Sequence, residues 1–256
     1  MILIKLGGSV ITDKYAYRSF DAETVARLCR EIAESDQGTV VVHGAGSFGH
    51  ILAKRYALNS GLVDFGQVPA VAQVQYDVRE LNSRIVRALM DVGLPAVGVP
   101  PGSCFVMDDG KLDVGEAEAV KRLYNIGVMP VTFGDVVMDR KRTFGICSGD
   151  QLMEVLAKMF KPKLSVFVSD VDGLYTANPK DDPGAELIPE VTPEVLKKIS
   201  ADSDVDDVTG GVIGKMESML AMCSEGSECV MVNGKVPGRL KSVLMGEETV
   251  CTRARA

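Results

Sequence analysis

The sequence is poor in the residues that build metal centres, and it lacks the commonest phosphate-binding motif. It has two histidines, His43 and His50, and six cysteines without CxxC spacing or a histidine nearby in the chain. A zinc site is therefore not expected, and the cysteines are interpreted as reduced, packed thiols of a cytoplasmic protein. The pattern GxxxxGK[ST] is absent, which excludes a P-loop protein.

Long hydrophobic runs and excess positive charge are also missing. No apolar stretch approaches the roughly 18 residues that a membrane-spanning helix needs, and no signal peptide is visible. The formal net charge of −7 argues against nucleic acid or an anionic membrane as a partner. The 256 residues, 46% of them hydrophobic, suffice for one large domain or two fused lobes. These observations favour a small molecule as the partner.

Two glycine-rich turns near the start of the chain are its most informative feature. KLGGS, at residues 5–9, and HGAGSFGH, at residues 43–50, each follow a short apolar run and lead into a possible helix. Glycine lets the backbone approach a ligand closely, and a helix N-terminus favours an anion. Two such turns after neighbouring parallel strands would hold phosphate from two sides, which indicates phosphoryl transfer between a donor turn and an acceptor turn. The charged side chains that accompany the turns are Lys5, Lys14 and His50.

The second turn also fits the pattern GxGxxG of dinucleotide-binding proteins, through Gly44, Gly46 and Gly49. That pattern is weak by itself, and a Rossmann site needs an acidic residue about 20 residues further on, at the end of the next strand. The acid in that region, Asp64, lies in a loop-like stretch. A dinucleotide-dependent oxidoreductase is therefore disfavoured.

Hydrophobic periodicity predicts strands and helices that mostly alternate along the chain. The predicted strands are residues 2–6, 39–43, 95–99, 128–132, 164–169 and 228–232. The predicted helices are residues 21–35, 47–57, 67–92, 150–160, 192–200, 211–224 and 238–245, and hairpins are predicted at 103–112 and 136–144. This order indicates an α/β fold, a three-layer αβα sandwich around a mostly parallel sheet, with the ligand at the carboxyl ends of the strands.

Four further polar segments lie at the ends of predicted strands or the starts of predicted helices. They are Gly134-Asp135, Ser148-Gly149-Asp150, residues 169–175, and Thr209-Gly210-Gly211 with Lys215 one turn later. Each alone has an ordinary explanation as a turn or a helix cap. Together with the glycine turns, they favour one site at the strand ends. The loop 176–193, rich in proline and acid, is either a surface loop or a lid over a nucleotide.

These segments resemble the amino acid kinase family. The matching pieces are KLGGS, the second glycine turn, SGDQL, SDVDGLYTANP and TGGVIGKM, in family order from residue 2 to about residue 219. The resemblance implies a single domain with the family's fold. Within it, residues from 1 to about 160 are expected to bind the acceptor and form a homodimer. Residues from about 161 to 256 are expected to bind the nucleotide.

Two pieces, GSVITDK at residues 8–14 and HGAGSFGH, are similar to the branch of that family that phosphorylates isopentenyl phosphate. The histidine that closes the second turn marks this branch and the related fosfomycin kinases. The resemblance therefore implies phosphorylation of isopentenyl phosphate to the diphosphate, in isoprenoid biosynthesis by an alternate mevalonate pathway. It also implies ATP and Mg²⁺ as cofactors, with no metal site built from side chains.

The resemblance further implies roles for individual residues. The residues expected to be catalytic are Lys5, Lys14, His50, Asp150 and Lys215. The residues expected to bind the nucleotide are Lys5, Gly7, Gly8, Ser9, Gly46, Asp170, Tyr175, Lys180, Gly211 and Lys215. The residues expected to bind the acceptor are Ala45, Gly46, Gly49, His50 and Gly149. Asp150 is expected to orient Lys5 and Lys215 without acting as a base, and His50 to hydrogen-bond the acceptor phosphate.

A phosphate monoester is already an oxyanion near neutral pH, so the acceptor needs positive charge around it and no general base. A protonated His50 would serve this purpose better than a neutral one, whereas His43, at the buried end of a strand, is interpreted as structural. In the GAG of the second turn, Ala45 replaces a glycine of many relatives, which a negative φ would allow.

The organic tail of the acceptor is expected to need an apolar pocket. The candidates are Val74, Val78 and Leu81 on the predicted helix 67–92, and Ile146, although such a stripe is also typical of a core or a dimer seam.

Two alternatives remain open. One is a kinase of the same fold that acts on an amino acid carboxylate or a fosfomycin-type phosphonate. The other is a nucleotide-binding regulatory subunit without catalysis, against which the joint presence of Lys5, Asp150 and Lys215 argues.

Overall fold

The computed structural model of the chain describes residues 1–13, 15–177, 179, 182, 184–202 and 210–256. Its strands are β1 Ile2–Leu6, β2 Thr39–His43, β3 Ala96–Gly98, β4 Val106–Asp108, β5 Lys111–Leu112, β6 Met129–Phe133, β7 Asp135–Asp139, β8 Thr143–Cys147, β9 Leu164–Ser169, β10 Leu174–Tyr175, β11 Leu187–Ile188, β12 Glu190–Val191, β13 Glu228–Asn233 and β14 Cys251–Ala254. Its helices are α1 Gly8–Ile11, α2 Ala22–Glu34, α3 Gly46–Arg55, α4 Val68–Asp91, α5 Pro101–Cys104, α6 Glu118–Asn125, α7 Gly149–Phe160, α8 Pro193–Asp202, α9 Gly210–Ser224 and α10 Arg239–Met245.

The central sheet confirms the predicted architecture. Its strand order is β12-β14-β13-β9-β1-β2-β6-β3, and the pairs are parallel apart from the antiparallel pair of β13 and β14. All five residues of β1 are buried, as expected for a central strand covered on both faces. The carboxyl ends of β1, β2, β6 and β9 therefore lie along one edge, where the polar turns follow.

Side chains of β1 alternate between two apolar cores, one on each face of the sheet. Ile2, Ile4 and Leu6 pack with residues of α2, α3, α4 and α10, whereas Leu3 packs with residues of α6, α7, α8 and α9. Because successive strand residues point to opposite faces, this alternation makes the three layers.

The long helix α4 packs along α3, beside the carboxyl ends of the central strands. Its buried stripe includes Val74, Val78, Leu81 and Ile85, which recur at helical spacing. The 3-10 turn Phe65–Gln67 precedes α4, and there the Asp64 side chain accepts from a backbone N–H while Gln67 bonds back. This capping box fixes where the helix begins.

The two predicted hairpins are present but differ in extent and in pairing. Both belong to a separate four-stranded sheet of order β5-β4-β7-β8, in which β4 and β7 are parallel. The first hairpin begins at Val106 and not at residue 103, because Pro101–Cys104 is a short helix with proline in its first turn. The second extends to Cys147.

The loop predicted at 176–193 contains β11 and β12, but residues 178, 180, 181 and 183 lie outside the described residues. Its interpretation as a lid stays a prediction. Within the described part of the chain, no helix has the length and apolar character needed to cross a membrane.

Candidate active site

The two glycine turns pack against each other backbone to backbone. Leu6 of β1 is paired with His43 of β2, and the N–H of Gly44 donates to the carbonyl of Leu6 at 2.9 Å. A Cβ added to Gly8 would lie 2.7 Å from the backbone nitrogen of Gly46, and one added to Gly44 would lie 2.6 Å from that of Gly8. No side chain fits between the turns, which explains why glycine occupies these positions.

The second turn also needs glycine for its backbone conformation. Gly46 has a φ of +50°, in the left-handed region, and it is the first residue of α3. Ala45, immediately before it, has a φ of −67°. An alanine is therefore accommodated at that position without strain, as expected from the sequence.

A cavity of about 260 Å³ lies where the two turns meet the N-terminus of α7. It brings together eleven of the predicted site residues: Lys5, Gly7, Gly8, Ser9, Ala45, Gly46, Gly49, His50, Gly149, Asp150 and Lys215. Nine further residues complete the lining: Gly44, Ala53, Val74, Gly134, Asp135, Ile146, Cys147, Ser148 and Ser169.

Two lysines and a carboxylate form the charged centre of this cavity. The ammonium of Lys5, which is nearly buried, donates to Oδ1 of Asp150 at the start of α7. Burial lowers the pKa of Lys5, Asp150 acts to raise it, and the charge of Lys215 lowers it further. The two cations thus repel each other across one carboxylate, so that a bound anion such as phosphate would be stabilised there.

His50 closes the second glycine turn and lines the cavity one turn into α3, where it is an exposed residue. Desolvation within the cleft lowers its pKa, and the charges of Lys5 and Lys215 lower it further, whereas Asp150 acts in the opposite direction. Without an anion in the cavity, the ring is therefore mostly neutral near pH 7. A bound phosphate would favour the protonated form for the same electrostatic reason.

His43 lies in the core, away from the chemistry, as interpreted from the sequence. Its Nδ1 donates to the carbonyl of Gly44 at 2.9 Å, so Nε2 is the acceptor for the amide of Asn82, at 3.1 Å. The ring stacks on Phe133 with centroids 5.1 Å apart. Full burial lowers its pKa to about 4.

This buried ring predicts a pH-dependent stability. Between pH 6.5, its ordinary pKa, and about pH 4, the unfolded chain binds a proton at His43 that the folded chain does not. The free energy of unfolding should therefore fall by up to about 3 kcal/mol as the pH drops through this window. Urea unfolding of the wild type and of His43→Asn at several pH values measures the effect. The wild type should lose more stability than the variant on acidification, and equal losses would contradict the assignment.

Ser9 links the first turn to the loop after β9. Its hydroxyl donates to Oδ1 of Asp170 at 2.7 Å. Tyr175 donates to Asp172 at 3.4 Å, and Asp172 also accepts from Asn233. Asp170 and Tyr175 lie outside the cavity lining, and Gly211 is in the first turn of α9.

Two predicted site residues, Lys14 and Lys180, lie outside the described residues. The segment that follows Lys14 is nevertheless anchored to α4. Asp77 is fully buried there, accepting from the hydroxyl of Tyr17 and, at 2.9 Å, from the amide of Gln73.

The apolar wall is partly as predicted. Val74 and Ile146 line the cavity, but Val78 and Leu81 do not, because the stripe of α4 turns toward the central sheet and buries them in the core. Ala53 also lines the cavity and was not predicted, although it lies one turn after Gly49 and His50 on the same helical face.

Asp135 also lines the cavity, as predicted for the polar segment Gly134-Asp135, although no individual role was assigned to it. Its carboxylate accepts from the N–H groups of Gly102 at 2.9 Å and Val136 at 2.8 Å. Burial raises its pKa to about 6, against the effect of those hydrogen bonds and of Arg79. Its position directly after β6 was the available signal.

The donor set does not form a side-chain metal cage. Among the residues that the structure describes, no three His, Cys, Asp or Glu side chains are grouped to hold an ion. Mg²⁺ commonly takes one or two carboxylates and completes its shell with phosphate oxygens and water. A magnesium ion carried by nucleotide phosphates is compatible with this cavity, in which Asp135 and Asp150 are the lining carboxylates.

Glycine turns at the carboxyl ends of parallel strands, around two lysines and an aspartate, define an α/β protein built to bind phosphoryl groups. The chain belongs to the amino acid kinase family, whose family model matches residues 1–233.

Several relatives that match over nearly the whole chain share one name. The chain is 36% identical over 262 residues to isopentenyl phosphate kinase of Methanothermobacter thermautotrophicus, covering 99% of this chain and 98% of the relative. It is 33% identical to the protein of that name from Thermoplasma acidophilum, covering 95% and 96%. A solved structure described as isopentenyl phosphate kinase superposes with a TM-score of 0.86 at 32% identity, covering 99% of each chain.

Proposed function

We propose that this kinase transfers the γ-phosphoryl group of ATP to isopentenyl phosphate and releases ADP and isopentenyl diphosphate. The observation that carries the proposal is the cavity itself. It joins two glycine turns around Lys5, Asp150 and Lys215, with His50 and an apolar wall on one side. Similarity to full-length isopentenyl phosphate kinases supports the choice of acceptor.

ATP with Mg²⁺ on its phosphates supplies the phosphoryl group and part of the positive charge. The chain's own contribution on this side is charge and backbone N–H. Lys5 and Lys215 stabilise the negative charge of the transferring group, and Asp150 holds Lys5 in place. Gly8 and Ser9 offer backbone N–H groups at the start of α1, whereas the N–H of Gly7 already donates to the carbonyl of Val168 at 2.8 Å.

On the acceptor side, backbone N–H groups of the turn at Ala45 and Gly46 bind the phosphate together with His50. The isoprenoid tail lies against Ala53, Val74 and Ile146. No side chain has to remove a proton, because the acceptor phosphate is already ionised. Asp150 is occupied by Lys5, and Asp135 by two backbone N–H groups.

With the same assignment, residues 1–160 bind the acceptor and form the dimer, and residues 161–256 bind the nucleotide. We also propose a homodimer, because β3 is an edge strand of the central sheet and the adjoining α4 exposes Met90 and Tyr76. Light scattering after gel filtration should give twice the chain mass of 27.4 kDa. A monomer at micromolar concentration would contradict the proposal. A cytoplasmic location is supported by the six cysteines, all described, which form no disulfide.

A coupled assay of ADP release tests the reaction. ATP and Mg²⁺ are supplied with isopentenyl phosphate, a fosfomycin-type phosphonate or acetylglutamate, each at matched concentration. Turnover is expected with isopentenyl phosphate, well above that with the other two acceptors. Preference for another acceptor would move the assignment within the family, and nucleotide binding without turnover on any would favour a regulatory protein.

A further inference from the structure

One hydroxyl group contacts both glycine turns. Thr12, nearly fully buried, follows α1, and its Oγ1 donates to the carbonyl of Gly8 at 2.7 Å. The same oxygen accepts from the backbone N–H of Ser47 at 3.0 Å. Gly8 belongs to the first turn and Ser47 to the second. Because a hydroxyl has one hydrogen to donate, these two bonds together fix its direction.

The bond to Ser47 replaces a helix cap. The first N–H groups of α3 have no partner within the helix, and its N-cap residue, Ala45, has no side chain that could accept from them. Thr12 supplies the missing acceptor from 35 residues away in the chain. Threonine in this place therefore ties the start of α3 to the end of α1.

The packing around the hydroxyl is close. A Cβ added to Gly46 would lie 2.3 Å from Oγ1 of Thr12 and 2.7 Å from its methyl carbon. The Thr12 side chain thus fills the space beside the acceptor turn. At the strand ends, the bond between Gly44 and Leu6 already joins the turns at one point. Thr12 joins them at a second point, which opposes rotation about the first.

We propose that Thr12 is a positioning residue for phosphoryl transfer, and that its hydroxyl sets the separation and orientation of the donor and acceptor turns. The inference rests on the proposed function of the two turns. Transfer requires the reacting atoms to approach to about 3–3.5 Å, and a misplacement of about 1 Å can cost about a hundredfold in rate. Thr12 does not line the cavity, so its effect is exerted through Gly8 and Ser47.

The test compares Thr12→Val, which keeps the shape and deletes the hydroxyl, with Thr12→Ser, which keeps the hydroxyl. For Thr12→Val, kcat should fall by about 30-fold or more, with KM for ATP and for isopentenyl phosphate each within about threefold of the wild type. Thr12→Ser should stay within about threefold in kcat. Assays are run well below the melting temperature of each variant, so that loss of folded protein does not contribute.

An unchanged kcat in Thr12→Val would overturn the proposal. So would an equal loss in Thr12→Ser, since the methyl group would then be responsible. If Thr12→Val does not fold, Thr12→Ala takes its place, since it deletes the hydroxyl and places no methyl group beside the carbonyl of Gly8.

Hydrogen exchange separates this inference from the proposed function. In peptides that contain Ser47, exchange should be slow in the wild type and Thr12→Ser and faster in Thr12→Val. This readout is informative even if isopentenyl phosphate is not the acceptor. Unaltered exchange in Thr12→Val would mean that the bond does not hold the turns.

Discussion

Replacing Lys5 by methionine should lower kcat by about three orders of magnitude, with a much smaller change in KM for either substrate. Lys5 is the buried cation at the junction of the two turns. Its charge would stabilise the transition state most strongly there, because negative charge moves between the substrates at that point. Methionine retains most of the side-chain length beside the ring of Phe167, which lies 5.7 Å from the ammonium. Steady-state kinetics measures the loss, and circular dichroism checks the fold.

The loss should reflect chemistry more than stability, because the partner carboxylate can be hydrated. The Asp150 side chain is 32% exposed, so removing Lys5 does not leave a fully buried unpaired charge. A variant that unfolds at the assay temperature would contradict this reasoning.

A double-mutant cycle tests the role of Asp150 in the same experiment. Asp150→Asn alone should reduce kcat by about 10- to 100-fold, because the lysines lose their orientation but keep their charges. In the Lys5→Met background it should cost much less, since Asp150 acts partly through Lys5. Fully additive losses would mean that Asp150 acts independently of Lys5, and its role in holding that lysine would be wrong.

The fold was predictable wherever the hydrophobic pattern within a single strand or helix is enough to identify it. β1, β2 and β9 are short buried apolar runs, and α2 and α4 carry apolar stripes at helical spacing, so local sequence suffices for them. The parallel pairing of β4 with β7 joins segments about 30 residues apart, and the local sequence of neither strand indicates it. The separate sheet that results was therefore not foreseen.

The site was predictable to the extent that backbone chemistry decides it. Glycine turns at the ends of parallel strands must lie on one edge, which was enough to predict that the turns of Lys5 and His50 meet. Asp150 follows β8 of the separate sheet and Lys215 lies in α9, so their place beside Lys5 was implied only by the family resemblance. Side-chain direction was harder: Val74 and Val78 lie one turn apart on the same stripe and both belong to the core, yet only Val74 also lines the cavity. The link through Thr12 was invisible in sequence, because its partners are backbone groups.

Replacing His50 by alanine should reduce kcat/KM for isopentenyl phosphate by about a hundredfold while ATP affinity stays within about threefold of the wild type. His50 lies on the acceptor turn, and its contribution depends on a hydrogen bond to the acceptor phosphate. His50→Gln retains one N–H donor but cannot become charged, so it should recover part of the loss. Equal activity of wild type and His50→Ala would remove the histidine from the mechanism.

The pH dependence separates the charged from the neutral histidine. Lys5 and Lys215 help to hold the pKa of His50 below 6.5 in the unliganded enzyme, and kcat/KM reports that form. The acceptor phosphate titrates in the same region, so the informative quantity is the ratio of kcat/KM between wild type and His50→Gln, in which that titration cancels. If protonated His50 binds the phosphate, this ratio should fall as the pH rises through that lowered pKa and then level off. In kcat, which reports the bound complex, the fall should occur at higher pH, because the phosphate charge favours the protonated ring. A ratio that is flat from about pH 5 to pH 9 would mean that His50 donates as a neutral ring throughout.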